Sequence, residues 1–522
     1  MRSSKARNSR LHAATFFRLA VPLLAIAAGC GSTRANVMSA REAYPATPYP
    51  APPPRASDSS TSGAVAYDPA LNTEAYKDYG VNPNVDPTKD RFSTFAIDVD
   101  TASYTIARRK LMEGSLPPQA AVRVEEFLNY FHYGYAKPSA NEGPFTIDVT
   151  AAPSPLVQGH HLVRVAMQGK TVSGAERKAV HLVYLVDTSG SMMSDDKIGL
   201  AKTSLRILTD SLKQGDTVAL CTYAGFVREV LPPTGVEKKG EILGAIDQLT
   251  AEGSTAMSSG IDLAYALAKK TMVKGAINHV VVLSDGDANV GPMSHEEILQ
   301  RIAQYKSEGI TLSTVGFGNG NYKDTMMEQL ADQGDGNYTY IDGEDQAKRV
   351  FGREVDGLLQ VIARDVKVQV EFDPKVVKEY RLVGYENRDV KDDDFKNDKV
   401  DGGEIGAGHN VTALYDVVLA KTNASPLTVH VRWKPAEGGA AIEKEIPMPA
   451  TSIAKTYEAA PANFKMATAV MGFAEILRKS PVAKEWTLAQ IEKLAVDSGF
   501  DSVDRSELIE LIKKAEGISA KP

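Results

Sequence analysis

The sequence contains very little cysteine. Only Cys30 and Cys221 occur among its 522 residues, and no Cys-x-x-Cys pair, His-Glu-x-x-His motif or local group of histidines and cysteines is present. A scaffold built on disulfides and a zinc site are therefore both disfavoured. Cys221 lies in the apolar run 217–223, where a free thiol behaves as a small buried hydrophobic side chain.

An excess of basic charge is also missing. The 59 lysines and arginines are outnumbered by 66 acidic residues, which gives a formal net charge of -7. No overall basic field exists to attract a polyanion, so nucleic acid is not a predicted partner. The length of 522 residues exceeds what one hydrophobic core organises, and several domains are expected.

Long hydrophobic runs are absent as well, and this bears on the N-terminus. The apolar run 19–28 is too short to span a bilayer, and it follows a basic segment without acidic residues. Such a segment is typical of a secretory signal. Its end, Ala27-Ala28-Gly29-Cys30, resembles the bacterial lipobox, which implies that Cys30 is lipidated. We expect residues 1–30 to be a lipoprotein signal peptide and the protein to lie in the cell envelope, at the outer membrane. An ordinary cleaved signal and an uncleaved anchor are the alternatives.

Residues 31–80 are predicted to be a disordered tether. Their middle part, 41–63, is rich first in proline and then in serine. Proline-rich segments are stiff and extended, serine-rich segments are flexible, and neither can bury a core. The segment would hold the folded part away from the membrane, and a role as a proline-rich ligand is the alternative.

Residues 176–360 alternate between apolar runs and amphipathic stretches. The predicted strands are 180–186, 217–223, 279–284 and 310–317, and helical patterns lie between them. This alternation predicts an α/β fold with a doubly wound, Rossmann-like, mostly parallel sheet. Ligands of such sheets bind beyond the carboxyl ends of the strands, so the polar residues that follow each run are candidates for a site.

Those positions carry a set of oxygen donors. Asp187, Ser189 and Ser191 follow the first strand, Thr255 lies in a loop before a helix, and Asp285 follows the third strand. Carboxylates and hydroxyls are ligands for Mg²⁺, which binds oxygen at ~2.1 Å in octahedral geometry. The alternative is that the two serines cap the following helix.

The pattern resembles the metal-ion-dependent adhesion site (MIDAS) of the von Willebrand factor type A (VWA) family. The resemblance implies that Ser189 and Ser191 bind the ion directly and that Thr255 does so directly or through water. Asp187 and Asp285 would bind directly or through water. The cofactor would be Mg²⁺, or else Mn²⁺ or Ca²⁺, and the partner would be a protein that supplies a carboxylate.

The similarity extends beyond the α/β region. Segments 92–104, 122–131, 284–291 and 334–342 resemble a bacterial subfamily of VWA lipoproteins, and 460–516 resembles that subfamily's C-terminal domain of unknown function. The resemblance covers most of 81–516. It assigns residues 81–140 to the subfamily's N-terminal segment.

The flanks of the α/β region predict a second architecture. Alternating runs at 144–150 and 161–166 precede it, and similar runs at 366–372, 411–419 and 427–433 follow it. We expect a β-sandwich assembled from 141–175 and 361–458, with the VWA domain inserted between its parts. Amphipathic stretches at 462–479, 485–496 and 504–515 predict a small C-terminal helical domain over 459–522.

The leading hypothesis is a lipoprotein that binds a protein partner through the metal site. A metal-dependent hydrolase or phosphotransferase is one alternative, because Asp98-Val-Asp100-Thr101 resembles a phosphotransferase motif, from which the sequence departs at Ala102. A structural envelope scaffold is another. A catalytic metal site needs a nucleophile or base poised beside the ion, whereas the predicted donor set offers only acceptors and hydroxyls, so we do not expect an enzyme.

Overall fold

The computed structural model describes residues 73–139, 141–172, 176–254, 256–287 and 294–520. The predicted signal peptide with Cys30, the tether up to residue 72, and Thr255 lie outside the described residues. Within the described ranges, no helix is long and apolar enough to cross a membrane.

The strands and helices of the described chain form three sheets and the layers of helices around them. The strands are β1 (Phe92–Ala96), β2 (Phe145–Pro153), β3 (His161–Gly169), β4 (Val180–Asp187), β5 (Thr217–Tyr223), β6 (Val227–Gly235), β7 (Ile277–Ser284), β8 (Thr311–Gly316), β9 (Tyr338–Tyr340), β10 (Val361–Phe372), β11 (Val377–Val383), β12 (Gly403–Gly406), β13 (Asn410–Leu419), β14 (Leu427–Pro435) and β15 (Ile442–Pro447). The α-helices are α1 (Ala102–Met112), α2 (Val124–Tyr130), α3 (Leu200–Asp210), α4 (Lys239–Asp247), α5 (Met257–Thr271), α6 (His295–Ser307), α7 (Asp324–Gln333), α8 (Glu344–Lys348), α9 (Val355–Leu359), α10 (Ala462–Leu477), α11 (Leu488–Asp497) and α12 (Val503–Ser519).

The α/β domain is built on a six-stranded sheet in the order β6-β5-β4-β7-β8-β9. The strands run parallel except for β6, which pairs antiparallel with β5 at one edge. Leu182 of β4 belongs to a core with α3 and α4, and Val183 belongs to a second core with α5 and α6. Helices therefore cover both faces, and the predicted doubly wound α/β class is confirmed.

Two antiparallel sheets lie beside this domain. One has the order β1-β10-β14-β15, with β12 also on β10, and the other has the order β11-β13-β3-β2. Val368 and Val429 of the first sheet share a core with Val163 and Tyr415 of the second, as in a β-sandwich. Because β3 precedes the α/β domain and its partner β13 follows it, the sandwich is assembled from both flanks.

Two features of the flanks were not predicted. Strand β1, which lies within the segment 81–140, pairs with β10 and extends the sandwich. The C-terminal helices do not pack only among themselves, and α10 is buried on almost all sides. The ring of Phe127 in α2 lies 5.3 Å from Tyr104 in α1 and 6.3 Å from Phe473 in α10. The N-terminal segment and the C-terminal helices therefore share one core.

Residues 73–80 also differ from the prediction, which placed them in the tether. Thr73 donates its backbone N–H to the carbonyl of Gly320 at 2.6 Å. The Glu74 carboxylate lies 3.0 Å from Arg109 and 2.8 Å from Lys110 of α1, and its side chain is only 3% exposed. A buried, doubly paired carboxylate fixes this segment to the folded body, so the tether ends earlier than the composition suggested.

Candidate functional site

The site begins where β4 ends. The apolar run of β4 buries Asp187 completely. One carboxylate oxygen accepts a hydrogen bond from the backbone N–H of Ser189 at 2.9 Å, and the other accepts from the hydroxyl of Ser284 at 2.8 Å. Burial raises the pKa of Asp187 to about 6, the nearby Asp285 carboxylate also raises it, and the bonds from Ser189 and Ser284 lower it. The carboxylate is thus held in one orientation.

The two serines after β4 point their hydroxyls at each other. Ser189 Oγ and Ser191 Oγ are 2.9 Å apart. Neighbouring corners of an octahedron with ~2.1 Å bonds are about 3.0 Å apart, so this spacing suits two ligands of one Mg²⁺ ion. Ser189 precedes a short 3₁₀ helix, Gly190–Met192, but its side chain makes no capping hydrogen bond. The helix-capping alternative is therefore not supported.

Asp285 follows β7, the neighbour of β4 in the sheet, and is fully buried. One of its oxygens accepts from the backbone N–H of Asp287 at 3.1 Å. The other accepts from Lys197 Nζ and from Asn321 Nδ2, both at 3.0 Å. The strand order reverses direction at β4, so Asp187 and Asp285 lie at the switch point where ligands of doubly wound sheets bind.

Backbone hydrogen bonds bring a third loop to the serines. Gly190 donates to the carbonyl of Gly253 at 2.9 Å, and Glu252 donates to the carbonyl of Thr188 at 2.7 Å. Thr255 follows this loop by sequence but lies outside the described residues. The structure therefore brings Asp187, Ser189, Ser191 and Asp285 to one edge of the sheet, while their role as metal ligands remains a prediction.

Sequence reasoning missed three members of this site: Lys197, Ser284 and Asn321. Lys197 comes from a turn between the serines and α3, and Asn321 comes from the loop after β8. Asn321 Nδ2 also donates to the carboxylate of Asp287 at 3.1 Å. Ser284 could have been found, because it directly precedes Asp285 at the end of an apolar run. The other two reach the site only through the tertiary fold.

A second acidic group lies elsewhere in the described chain. Carboxylate oxygens of Asp335, Asp401 and Glu404 lie within 4.8 Å of one another, a spacing that could hold a cation. Lys306 Nζ lies 2.8 Å from Asp335 and 2.7 Å from Asp401, so an ammonium group already offsets their charge. This group shares no residue with the predicted site.

Asp98 and Asp100, which suggested an enzyme, have structural partners. Both are buried, and Arg388 lies 3.4 Å from Asp98 and 3.2 Å from Asp100. Asp100 also accepts the backbone N–H of Tyr338 at 2.8 Å, which ties the N-terminal segment to β9. These contacts hold the segment against the sandwich through Arg388 and against the α/β domain through Tyr338.

The family comparisons agree with this architecture. The family model described as "von Willebrand factor type A domain" matches residues 181–353, and one described as "von Willebrand factor" matches 70–164. The model "Uncharacterized protein YfbK, C-terminal" matches residues 357–518. The α/β domain with its flanks is thus that of a bacterial protein with a VWA domain.

Comparison with individual relatives identifies the family within the VWA proteins to which the chain belongs. The chain is 36% identical over 475 residues to the uncharacterized protein YfbK of Escherichia coli (strain K12), covering 86% of this chain and 82% of the relative. It is 25% identical to the uncharacterized protein sll0103 of Synechocystis, covering 44% of this chain and 54% of that one. A solved VWA protein from Catenulispora acidiphila aligns with a TM-score of 0.43 at 17% identity, covering 73% of this chain and 92% of the other. The chain belongs to the YfbK family.

Proposed function

We propose that the protein is an envelope-anchored lipoprotein that binds a protein partner through a divalent ion in a MIDAS. The ion would be Mg²⁺, or else Mn²⁺ or Ca²⁺, held by Asp187, Ser189, Ser191, Thr255 and Asp285. The observation that carries the proposal is the paired hydroxyls of Ser189 and Ser191, 2.9 Å apart beside two buried carboxylates. A VWA domain supports a role in protein interaction at the coarser level.

The donor set fits such an ion. All the candidate ligands are oxygens, which favours hard cations over thiophilic ones. The ammonium of Lys197 lies 3.0 Å from Asp285, so this carboxylate already pairs with a positive charge. When bound, the ion would supply positive charge and a coordination position open to an oxygen of another molecule.

The exposure of the site residues indicates from which side a partner would approach. Ser191 is partly exposed whereas Asp187, Ser189 and Asp285 are buried, so the site opens to solvent on the side of Ser191. A carboxylate supplied by a partner would approach from that side. Binding such a partner requires no nucleophile or base from this chain, because the described carboxylates and hydroxyls would serve as ligands of the ion, and this favours binding over the hydrolase alternative.

Capture of partners from an envelope extract tests the metal dependence. The immobilised protein should retain a defined protein with Mg²⁺ and release it with a chelator, and Asp187→Ala should retain nothing. Asp196→Ala is the matched control, because it removes an exposed carboxylate from the helical turn Asp195–Gly199, which follows Ser191. Equal retention by the wild type and Asp187→Ala, with or without chelator, contradicts the proposal and favours the scaffold alternative.

The anchor has its own test. The short apolar run before Cys30 motivates the proposal that this cysteine carries the lipid. Cys30→Ser should leave the protein unprocessed or released from the membrane, as fractionation and lipid labelling would reveal. A processed Cys30→Ser protein that still fractionates with the outer membrane contradicts the anchor.

A further inference from the structure

The side chain of Lys197 enters the proposed metal site from outside the donor set. It belongs to a single turn of π-helix, Asp195–Gly199, directly before α3. Lys197 is buried although the adjacent Asp195 and Asp196 are exposed. Its stem lies against Gly318, where a Cβ would collide with Cε of the lysine. Gly318 has a φ of +74°, so glycine suits this position both for its backbone and for the space it leaves.

The ammonium group of Lys197 donates three hydrogen bonds within the site. Lys197 Nζ donates to the carbonyl of Ser191 at 3.0 Å, to Oδ2 of Asp285 at 3.0 Å and to Oδ1 of Asn321 at 2.7 Å. An ammonium has three hydrogens, and each therefore has an acceptor. Two of the three contacts go to residues that also face the proposed ion, so the lysine is part of the site and does not merely pass near it.

The charges of the buried groups determine the net charge of the site when the ion is bound. Asp187 and Asp285 together carry two negative charges when ionised, and Lys197 offsets one of them. A divalent ion would then leave the site with one net positive charge, whereas the two carboxylates alone would neutralise the ion. Like charges held close together in a buried site repel strongly, so the ammonium weakens the binding of a cation and strengthens that of an anion.

We infer that Lys197 is a counter-cation built into the site, which competes with the divalent ion for Asp285 and keeps the loaded site positive toward an anionic partner. The inference rests on the proposed function and names how the same site is regulated. Lys197 does not replace a metal ligand. It positions Asp285 and sets how tightly the ion is held.

Calorimetric titration of the full chain with Mn²⁺ tests this inference. Lys197→Met removes the charge and keeps the apolar stem, and it should bind Mn²⁺ roughly tenfold or more tightly than the wild type. With chelator present, the thermal midpoint of Lys197→Met should fall, because the buried carboxylate of Asp285 loses its only described cationic partner and keeps neutral donors alone. Saturating Mn²⁺ should then raise the midpoint of Lys197→Met by more than that of the wild type.

Two further variants make the result decisive. Lys202→Met is the matched control, because Lys202 donates to the carbonyl of Asp247 at an exposed site, and this variant should bind Mn²⁺ as the wild type does. Lys197→Gln keeps a hydrogen-bond donor and serves if Lys197→Met does not fold.

Four outcomes are distinguishable. Tighter Mn²⁺ binding by the Lys197 variants supports the inference, and equal or weaker binding by them, with binding by the wild type intact, overturns it alone. Binding by the variants but not by the wild type supports the inference and contradicts the proposed function of the wild type. Binding by none of the proteins overturns the proposed metal site itself, and the inference with it.

Discussion

Arg108 connects three parts of the molecule, and its removal should weaken the whole. From α1, its guanidinium forms a two-pronged pair with Asp342, which follows β9, with both N···O distances 2.7 Å. It also donates to Glu507 of α12 at 3.1 Å and to the hydroxyl of Tyr130 at 2.6 Å. The N-terminal segment, the α/β domain and the C-terminal helices therefore meet at one side chain.

The expected cost of Arg108→Met follows from burial. The side chains of Arg108 and Asp342 are 13% and 10% exposed, whereas that of Glu507 is 34% exposed. Removing one partner of a fully buried ion pair costs about 3–5 kcal/mol, and the partial exposure of Glu507 favours the lower end. We therefore expect the free energy of unfolding to fall by about 3 kcal/mol, mainly because Asp342 loses its partner.

The two tryptophans make the assay specific. Trp486 lies against the helical core and Trp433 lies in the sandwich core, so a Trp433→Phe background reports on the helices alone. Urea unfolding followed by Trp486 fluorescence should show the lower free energy of unfolding of Arg108→Met. Arg206→Met is the control, because its pair with Asp247 is exposed and contributes less than about 1 kcal/mol. The double variant Arg108→Met/Asp342→Asn should lose less free energy of unfolding than the sum of the two single losses. Simple additivity would show that the two side chains do not interact.

Two other predictions concern stability. Burial lowers the pKa of His279 to about 4, so the unfolded chain, with a pKa of about 6.5, takes up a proton before the folded chain does. The contribution of neutral His279 to the free energy of unfolding is fully present above pH about 6.5. It is lost, by roughly 3 kcal/mol, as the pH falls toward about 4. The urea midpoints of the wild type and His279→Gln should therefore converge as the pH is lowered. Residues 176–360 expressed alone should unfold cooperatively. Residues 361–458 without 141–175 should not, because β13 would lose its partner β3 along its length. Cooperative unfolding of the fragment 361–458 would contradict this, since it would show that each flank folds without the other.

The α/β domain was predictable because its central strands are buried on both faces. Buried parallel strands appear in the sequence as continuous apolar runs, and β5 lies at 217–223 as predicted. Strands that lack such a signal were missed. Strand β9 has three residues, and β15 at the edge of its sheet is largely exposed. Their pairing depends on the neighbours that the fold supplies.

The sandwich and the C-terminal helices also contain features that the sequence predicted and features that it did not. The alternation in β13 and β14 predicted two strands of the sandwich, since one face of each is buried in its core. The partnership of α1 and α2 with the C-terminal helices was not predictable, because apolar spacing indicates a buried face but not the element that covers it.

The candidate site illustrates the same limit. Asp187, Ser189, Ser191 and Asp285 could be predicted because each follows a strand whose carboxyl end lies at the switch point. Lys197 could not, since the sequence presents it as one more charged residue after Asp195 and Asp196. Its burial comes from the loop after β8, which the sequence places far away.

Calorimetric titration of the purified protein with Mn²⁺ tests whether the residues after β4 and β7 form a metal site. We expect a single saturable site in the wild type and in the Asp196→Ala control, and no binding by Asp187→Ala. Circular dichroism should show that Asp187→Ala keeps its fold, because Asp187 is the last residue of β4 and the apolar residues of that strand keep the core intact. Heats of Mn²⁺ binding by Asp187→Ala equal to those of the wild type would contradict the assignment of the metal site.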